Sequence, residues 1–172
     1  MAMPPSRFPV NVVIERVPLS NRWVSEQWRV AAVEPGHDEA APACEQLADQ
    51  GNIARWRCSG LAIELARSEA EGYYLNISAP EPKTFVMCRV AEDGEEGAPQ
   101  LRAHLVTVSY NEAARLLDGG EQVDAVALHP AILAWMQPFV AEHYRPEPRR
   151  KARRNELYER EGDVAPRFKP ER

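Results

Sequence analysis

Between Val10 and Val33 the chain reads VNVVIERVPLSNRWVSEQWRVAAV, and this stretch restricts the possible folds more than any other. Val10, Val12 and Ile14 alternate with Asn11, Val13 and Glu15, the two-residue period of a half-buried strand. Pro18-Leu19-Ser20-Asn21 carries turn chemistry, because Pro fixes φ while Ser and Asn bond back to the local backbone. Beyond the turn, Val24, Glu26, Trp28 and Val30 fall on one face of a second strand, and Trp23, Ser25, Gln27 and Arg29 on the other. The hairpin thus predicts two tryptophans on opposite sides of one strand. One reading makes Trp28 core and has Trp23 capping a barrel end or packing under Arg22. The other gathers Arg16, Asn21, Arg22 and Trp23 into an exposed aromatic-cationic contact patch, made of residue types enriched at interface hot spots.

The same alternation continues downstream. Leu61, Ile63 and Leu65 share a face within a strand over 53–67; Tyr73, Leu75 and Ile77 suggest another strand after a charged connection at Ser68–Gly72. Thr84–Val90 is apolar on both faces, the pattern of a central strand, and Leu101–Val108 is a further strand after the solvated turn DGEEGAP. Glu34–Asn52 interrupts the series with Pro35-Gly36, acids and Pro42, and reads as a long loop with one helical turn at Cys44–Gln50. Fifteen prolines, close to twice the usual share of ~5%, favour such a loop-rich β architecture over a bundle.

Helical signals come late. Ser109-Tyr-Asn-Glu112 is a capping box in which the Ser oxygen takes the Glu112 amide and Glu112 reaches back to the Ser109 amide; Gly119-Gly120 ends that helix. Pro130 opens a second helix whose residues Ile132, Trp135, Met136, Phe139 and Val140 form one apolar face. Pro138 inside it lacks an amide proton and predicts a kink, and the helix is expected to pack across an open end of the sheet. The fold expected is therefore α+β, with one domain over 8–144. An antiparallel β barrel or sandwich of six to seven strands is followed by two C-terminal helices and a disordered basic tail over 145–172.

Charge divides the same way. Residues 1–144 hold 11 Lys+Arg against 20 Asp+Glu, a net of −9, and residues 145–172 hold 10 against 6, a net of +4. Arg149, Arg150, Lys151, Arg153 and Arg154 form the densest cationic cluster. It serves as a solubilising tail, as a docking segment for an acidic protein surface, or as a contact for nucleic acid or anionic lipid. The acidic body opposes the nucleic-acid reading, since it repels the phosphate backbone that supplies nonspecific affinity, and no aromatics interleave the basic run for base stacking.

Reactive-site signals are sparse. His37, His104, His129 and His143 lack metal-like spacing with one another, and Cys44, Cys58 and Cys88 form no CxxC or Cys/His zinc pattern. Buried reduced thiols in a reducing cytoplasm are expected, with a Cys58–Cys88 pair across neighbouring strands as the alternative. The glycine pairs lack the context of a nucleophile elbow or P-loop, and the paired carboxylates sit in turns. No catalytic residue, cofactor or metal is therefore expected. Met1–Arg7 leads into a strand without the apolar run of a signal peptide, and no 18-residue apolar stretch spans a membrane, so the expected location is cytoplasmic.

The phrases ERVPLSNRWVSEQW, YNEAARLLDGGEQVD and FVAEHY before the basic tail resemble the bacterial family of unknown function DUF3305, over roughly residues 8–150. Members of that family tend to be encoded beside formate dehydrogenase genes. The resemblance implies a role around a molybdenum- or tungsten-dependent formate dehydrogenase and defines no activity or catalytic residues. The leading expectation is a non-catalytic accessory or adaptor protein that binds a protein partner, a formate dehydrogenase subunit by resemblance, through Arg16, Asn21, Arg22, Trp23 and the tail. The alternatives are a small-molecule-binding or enzymatic barrel, marked by a pocket lined by His104, Cys88 and carboxylates, and tail-mediated nucleic-acid binding.

Overall fold

The alternation from Val10 to Ile14 does place those side chains inward: Val10, Val12 and Ile14 are at most 1% exposed in the computed structural model, which describes residues 3–38, 40–92 and 94–148. They belong to β1 (Arg7–Pro18), the strand from which the first sheet is built. On one side β1 pairs antiparallel with β2 (Glu26–Pro35), and on the other with β4 (Ala54–Glu64). A three-residue strand, β3 (Cys44–Gln46), lies on the far edge of β4, giving the order β2-β1-β4-β3. The predicted helical turn at Cys44–Gln50 is therefore a strand. Leu47 N and Ser59 N bond across to Arg55 O and Ala43 O at 2.9 and 2.8 Å, so pairing with β4 supplies what a local helix would have.

Two bulges bend this sheet. Ala31 has no partner between the pairs Val13–Ala32 and Ile14–Val30. On β4, Ser59 and Gly60 together face the single residue Asn11, and Gly60 takes φ +92° with Pro42 backbone 2.6 Å from where a Cβ would stand. Glycine alone suits that conformation and that approach.

After β4 a 3-10 turn (Arg67–Glu69) runs into α1 (Ala70–Ile77). The predicted strand at Tyr73–Ile77 is thus a helix. Its buried residues are Ala70, Gly72, Tyr73 and Asn76, spaced as on a helix face, while Leu75 of the supposed strand pattern is 43% exposed. The deciding residue is polar. Asn76, 1% exposed, donates to Lys83 O and Val108 O at 2.7 and 2.9 Å and accepts from Lys83 N at 2.9 Å. A buried polar side chain with every partner met specifies its place more sharply than an apolar one.

The second sheet has the order β6-β5-β7, with β5 (Lys83–Val90) central as its two apolar faces predict, β6 (Leu101–Thr107) and β7 (Gln122–Ala127). Between β6 and β7 lies α2 (Tyr110–Asp118). Ser109 Oγ accepts from Glu112 N at 3.1 Å, as the capping box requires. Glu112 returns through an intermediary: its carboxylate takes the Thr107 hydroxyl at 2.6 Å, and Thr107 Oγ1 takes Ser109 N at 3.0 Å. At the other end Gly120, at φ +85°, carries the left-handed turn, with Glu121 N on Leu116 O and Gly120 N on Leu117 O, both at 3.0 Å. These two bonds make a Schellman motif.

The last helix among the described residues, α3 (Pro130–His143), runs on through Pro138 without a break. All five apolar residues predicted for its face are buried. Trp135 stacks on Phe8 at 5.0 Å and donates to Pro5 O at 2.7 Å, so α3 closes the end of the first sheet at which β1 begins. β7 separates the two helices that the sequence places in succession, and α1 precedes both.

The two sheets face one another around one hydrophobic cluster that runs from Val10 to Val140. β2 packs beside β7 and β4 beside β6, yet no ladder joins them, so the architecture is sandwich-like α+β and not a closed barrel. At the β2–β7 seam, the Asp124 carboxylate accepts from Val30 N at 2.9 Å, taking the amide that a barrel ladder would use.

Candidate partner-binding surface

At the end of the first sheet remote from α3, β1 and β2 part after Pro18 and rejoin at Glu26. Leu19 N bonds to Ser25 O at 2.9 Å and closes a loop longer than the tight turn the sequence suggests. Within it, Asn21 Oδ1 accepts from Trp23 N at 3.0 Å, a side-chain turn two residues long of the kind Asn favours. Trp23 consequently belongs to the loop and not to the strand. It is 87% exposed, and Leu19 and Val24 beside it are 37% and 51% exposed. The capping and under-Arg22 placements are both excluded by that exposure. Arg22 is exposed on the same loop.

Arg16 is placed differently. It lies opposite Trp28 on β2 and Ala54 on β4, on the inward side of the sheet. Its guanidinium stands 5.7 Å from the Trp28 ring and 5.8 Å from the Trp56 ring, the two rings being 5.1 Å apart. Such a cation over two indoles is held by the ring quadrupoles. Glu26 completes the arrangement, ion-paired with Arg16 at 3.6 Å and accepting from Trp28 Nε1 at 3.3 Å. A polar hollow of about 450 Å³ opens beside Arg16, bordered by Pro18, Ser25, Glu26, Asp49 and Asn52. The structure thus brings Asn21, Arg22 and Trp23 together on the loop and sets Arg16, also exposed, over a cage of Trp28 and Trp56. Trp56, the second wall of that cage, is a residue that sequence reasoning missed; its only signal is a tryptophan in a strand at the register of Ile14.

Arg149, Arg150, Lys151, Arg153 and Arg154 lie outside the described residues, as does the tail predicted to be disordered. The helix that precedes them is fixed at its end, where Tyr144 stacks on Tyr74 at 4.7 Å.

The features that would mark an enzymatic site are only partly assembled. His104 borders a cleft of about 330 Å³ with Glu64, Glu69, Glu112 and Tyr73, but Cys88 is not part of it. Two of those carboxylates are already engaged: Glu69 takes the Ser109 hydroxyl at 2.5 Å and pairs with Arg115, and Glu112 takes Thr107. Cys88 is 1% exposed, and burial, with a smaller contribution from Asp124, pushes its thiol up to about 12. Among the described residues no group of three or more His, Cys, Asp or Glu could hold a metal ion, and no helix is long and apolar enough to cross a membrane.

The cysteines depart from expectation. Cys44 and Cys58 form a disulfide, their Cα atoms 4.1 Å apart, and Cys88 is the free one. Neither three reduced thiols nor a Cys58–Cys88 pair is found. The cause is β3: its register sets Cys44 directly across from Cys58, and that register cannot be read while the segment passes for a loop.

A family model described as "Protein of unknown function (DUF3305)" matches residues 9–153. No curated protein and no solved structure matches the chain.

Proposed function

We propose that this chain, which belongs to the DUF3305 family, is a non-catalytic accessory or adaptor protein that captures a protein partner through the β1–β2 loop and the basic tail. The observation that carries the reading is Trp23, 87% exposed on a loop whose Leu19 and Val24 are exposed with it. An exposed indole costs solvation unless something covers it, and Trp and Arg are the side chains that dominate binding energy where interfaces form. The tail contributes opposite charge to an acidic partner surface and speeds encounter. The partner we assign, from the family resemblance, is a molybdenum- or tungsten-dependent formate dehydrogenase in the cytoplasm, during its assembly, maturation or regulation.

The test is an affinity-tagged pull-down from native cells grown on formate, comparing the full chain with a 1–144 truncation by mass spectrometry. Recovery of formate dehydrogenase subunits with the full chain and their loss with the truncation is the expected outcome. Equal recovery by both would remove the tail from the proposal, and recovery by neither would remove the partner.

A further inference from the structure

Cys44 and Cys58 are opposed on β3 and β4 as a non-hydrogen-bonded pair, flanked by the Ser59 N–Ala43 O bond at 2.8 Å. Their environments differ. Cys44 is exposed on an edge strand of three residues, all exposed, whereas Cys58 is 6% exposed and belongs to the core cluster. Both border a cleft of about 380 Å³ between the β4 bulge and the start of β6, walled by Gly60, Leu61, Pro99 and Arg102. That volume suits a small organic ligand. Arg102 forms no ion pair among the described residues, and its Nε is buried there without an acceptor. A buried guanidinium nitrogen left unpaired costs free energy, and Arg102, as a cation bordering the cleft, would attract an anionic group seated in it by charge. Glu95, which also borders the cleft, is an exposed residue.

We propose that the Cys44–Cys58 bond is a thiol–disulfide exchange site, and that its cleft admits low-molecular-weight thiols carrying a carboxylate. The thiolate of the incoming molecule attacks Sγ of Cys44, the exposed residue of the pair. The Cys44–Cys58 bond breaks, and Cys58 departs as a thiolate and takes a proton from solvent. A second thiol then attacks the small-molecule sulfur of the mixed disulfide and releases Cys44 as a thiol. Two thiols are oxidised to one disulfide, and the protein's disulfide is reduced to two thiols. Because no residue of β3 is itself buried, its release takes no side chain of its own out of the core, and reduction separates Pro42–Gln46 from β4 without unfolding the rest.

The experiment treats the full chain with 3-mercaptopropionate or with cysteamine, at equal thiolate concentration and low salt. Acid quenching and peptide mapping then locate the adduct, with each rate divided by that thiol's rate on a small model disulfide. The acidic protein, net −5, would by its overall field favour the cationic thiol. The expected result is the reverse: an adduct on Cys44, a normalised preference of about tenfold for the anionic thiol, and loss of that preference in Arg102→Gln but not in Arg102→Lys. In the wild type the preference should also collapse in high salt, which serves if Arg102→Gln fails to fold. Cys88 should stay unmodified throughout. An adduct on Cys58, a preference for cysteamine, or reaction only with denaturant and together with Cys88 would each overturn the proposal.

Discussion

Glu15 is 3% exposed on the outward side of β1, where Arg29 reaches it from β2 at 2.5 Å and Arg55 from β4 at 3.1 Å. Burial alone would push its carboxyl up. The hydrogen bonds and charges of the two arginines outweigh that, and the carboxyl is held below its ordinary value. A carboxyl with a lower pKa folded than unfolded contributes its full stability above the unfolded value and loses it as pH falls through the folded one. Thermal stability should therefore decline as pH drops below the ordinary 4.5. Glu15→Gln should cost about 2 kcal/mol near neutrality and flatten that acid limb; superimposable acid limbs would assign the decline to other carboxylates. Asn76 makes a second prediction at this scale. Asn76→Ala strands the buried carbonyls of Lys83 and Val108 and the Lys83 amide, and should cost on the order of 3 kcal/mol in denaturant unfolding. A loss below about 1 kcal/mol would mean that water replaces the amide.

Elements carry a different kind of information. α2 was legible because its signals are local: Ser109 caps, Gly120 stops, and neither needs a distant partner. α3 was legible for the same reason, from Pro130 and the spacing of Ile132, Trp135, Met136, Phe139 and Val140. α1 was not, since Tyr73, Leu75 and Ile77 alternate like a strand and the residue that fixes the helix, Asn76, is polar. Its worth depends on carbonyls at Lys83 and Val108 that only the folded sheet supplies. β3 fails for a related reason. Three residues have too little pattern to register, and the pairing is dictated from β4. The β1–β2 loop belongs at this scale too. Trp23 touches no core, so Trp23→Ala should leave unfolding within about 0.5 kcal/mol of wild type while weakening partner capture tenfold or more. A large stability loss with unchanged capture would make Trp23 structural.

In the whole molecule, the antiparallel mix of strands with helices could be anticipated from alternation and turn residues, as could five of the strands, whereas β3, β7 and closure could not. Whether two sheets join into a barrel is settled by backbone amides at their edges, and a single side chain, Asp124, occupies the one at Val30. Of the candidate binding surface, the loop residues Asn21, Arg22 and Trp23 were visible in sequence as an aromatic-cationic phrase. The cage around Arg16 was not, because Trp56 enters it only through strand register. The disulfide lay beyond reach for the same cause.

The bond from Trp135 to Pro5 O, across 130 positions of chain, bears on how the protein is made. β1, β2 and β4 all precede Leu65 in the chain and can pair as soon as Glu64 has left the ribosome. Their lower end, however, stays uncovered until α3 arrives. At ~5–20 residues per second, the roughly 70 residues between Glu64 and Trp135 leave Phe8 without its Trp135 partner for about 4–14 s in each round of synthesis. During that interval the open end of a nascent chain is apolar surface of the kind that chaperones bind, and it closes only once α3 has been translated.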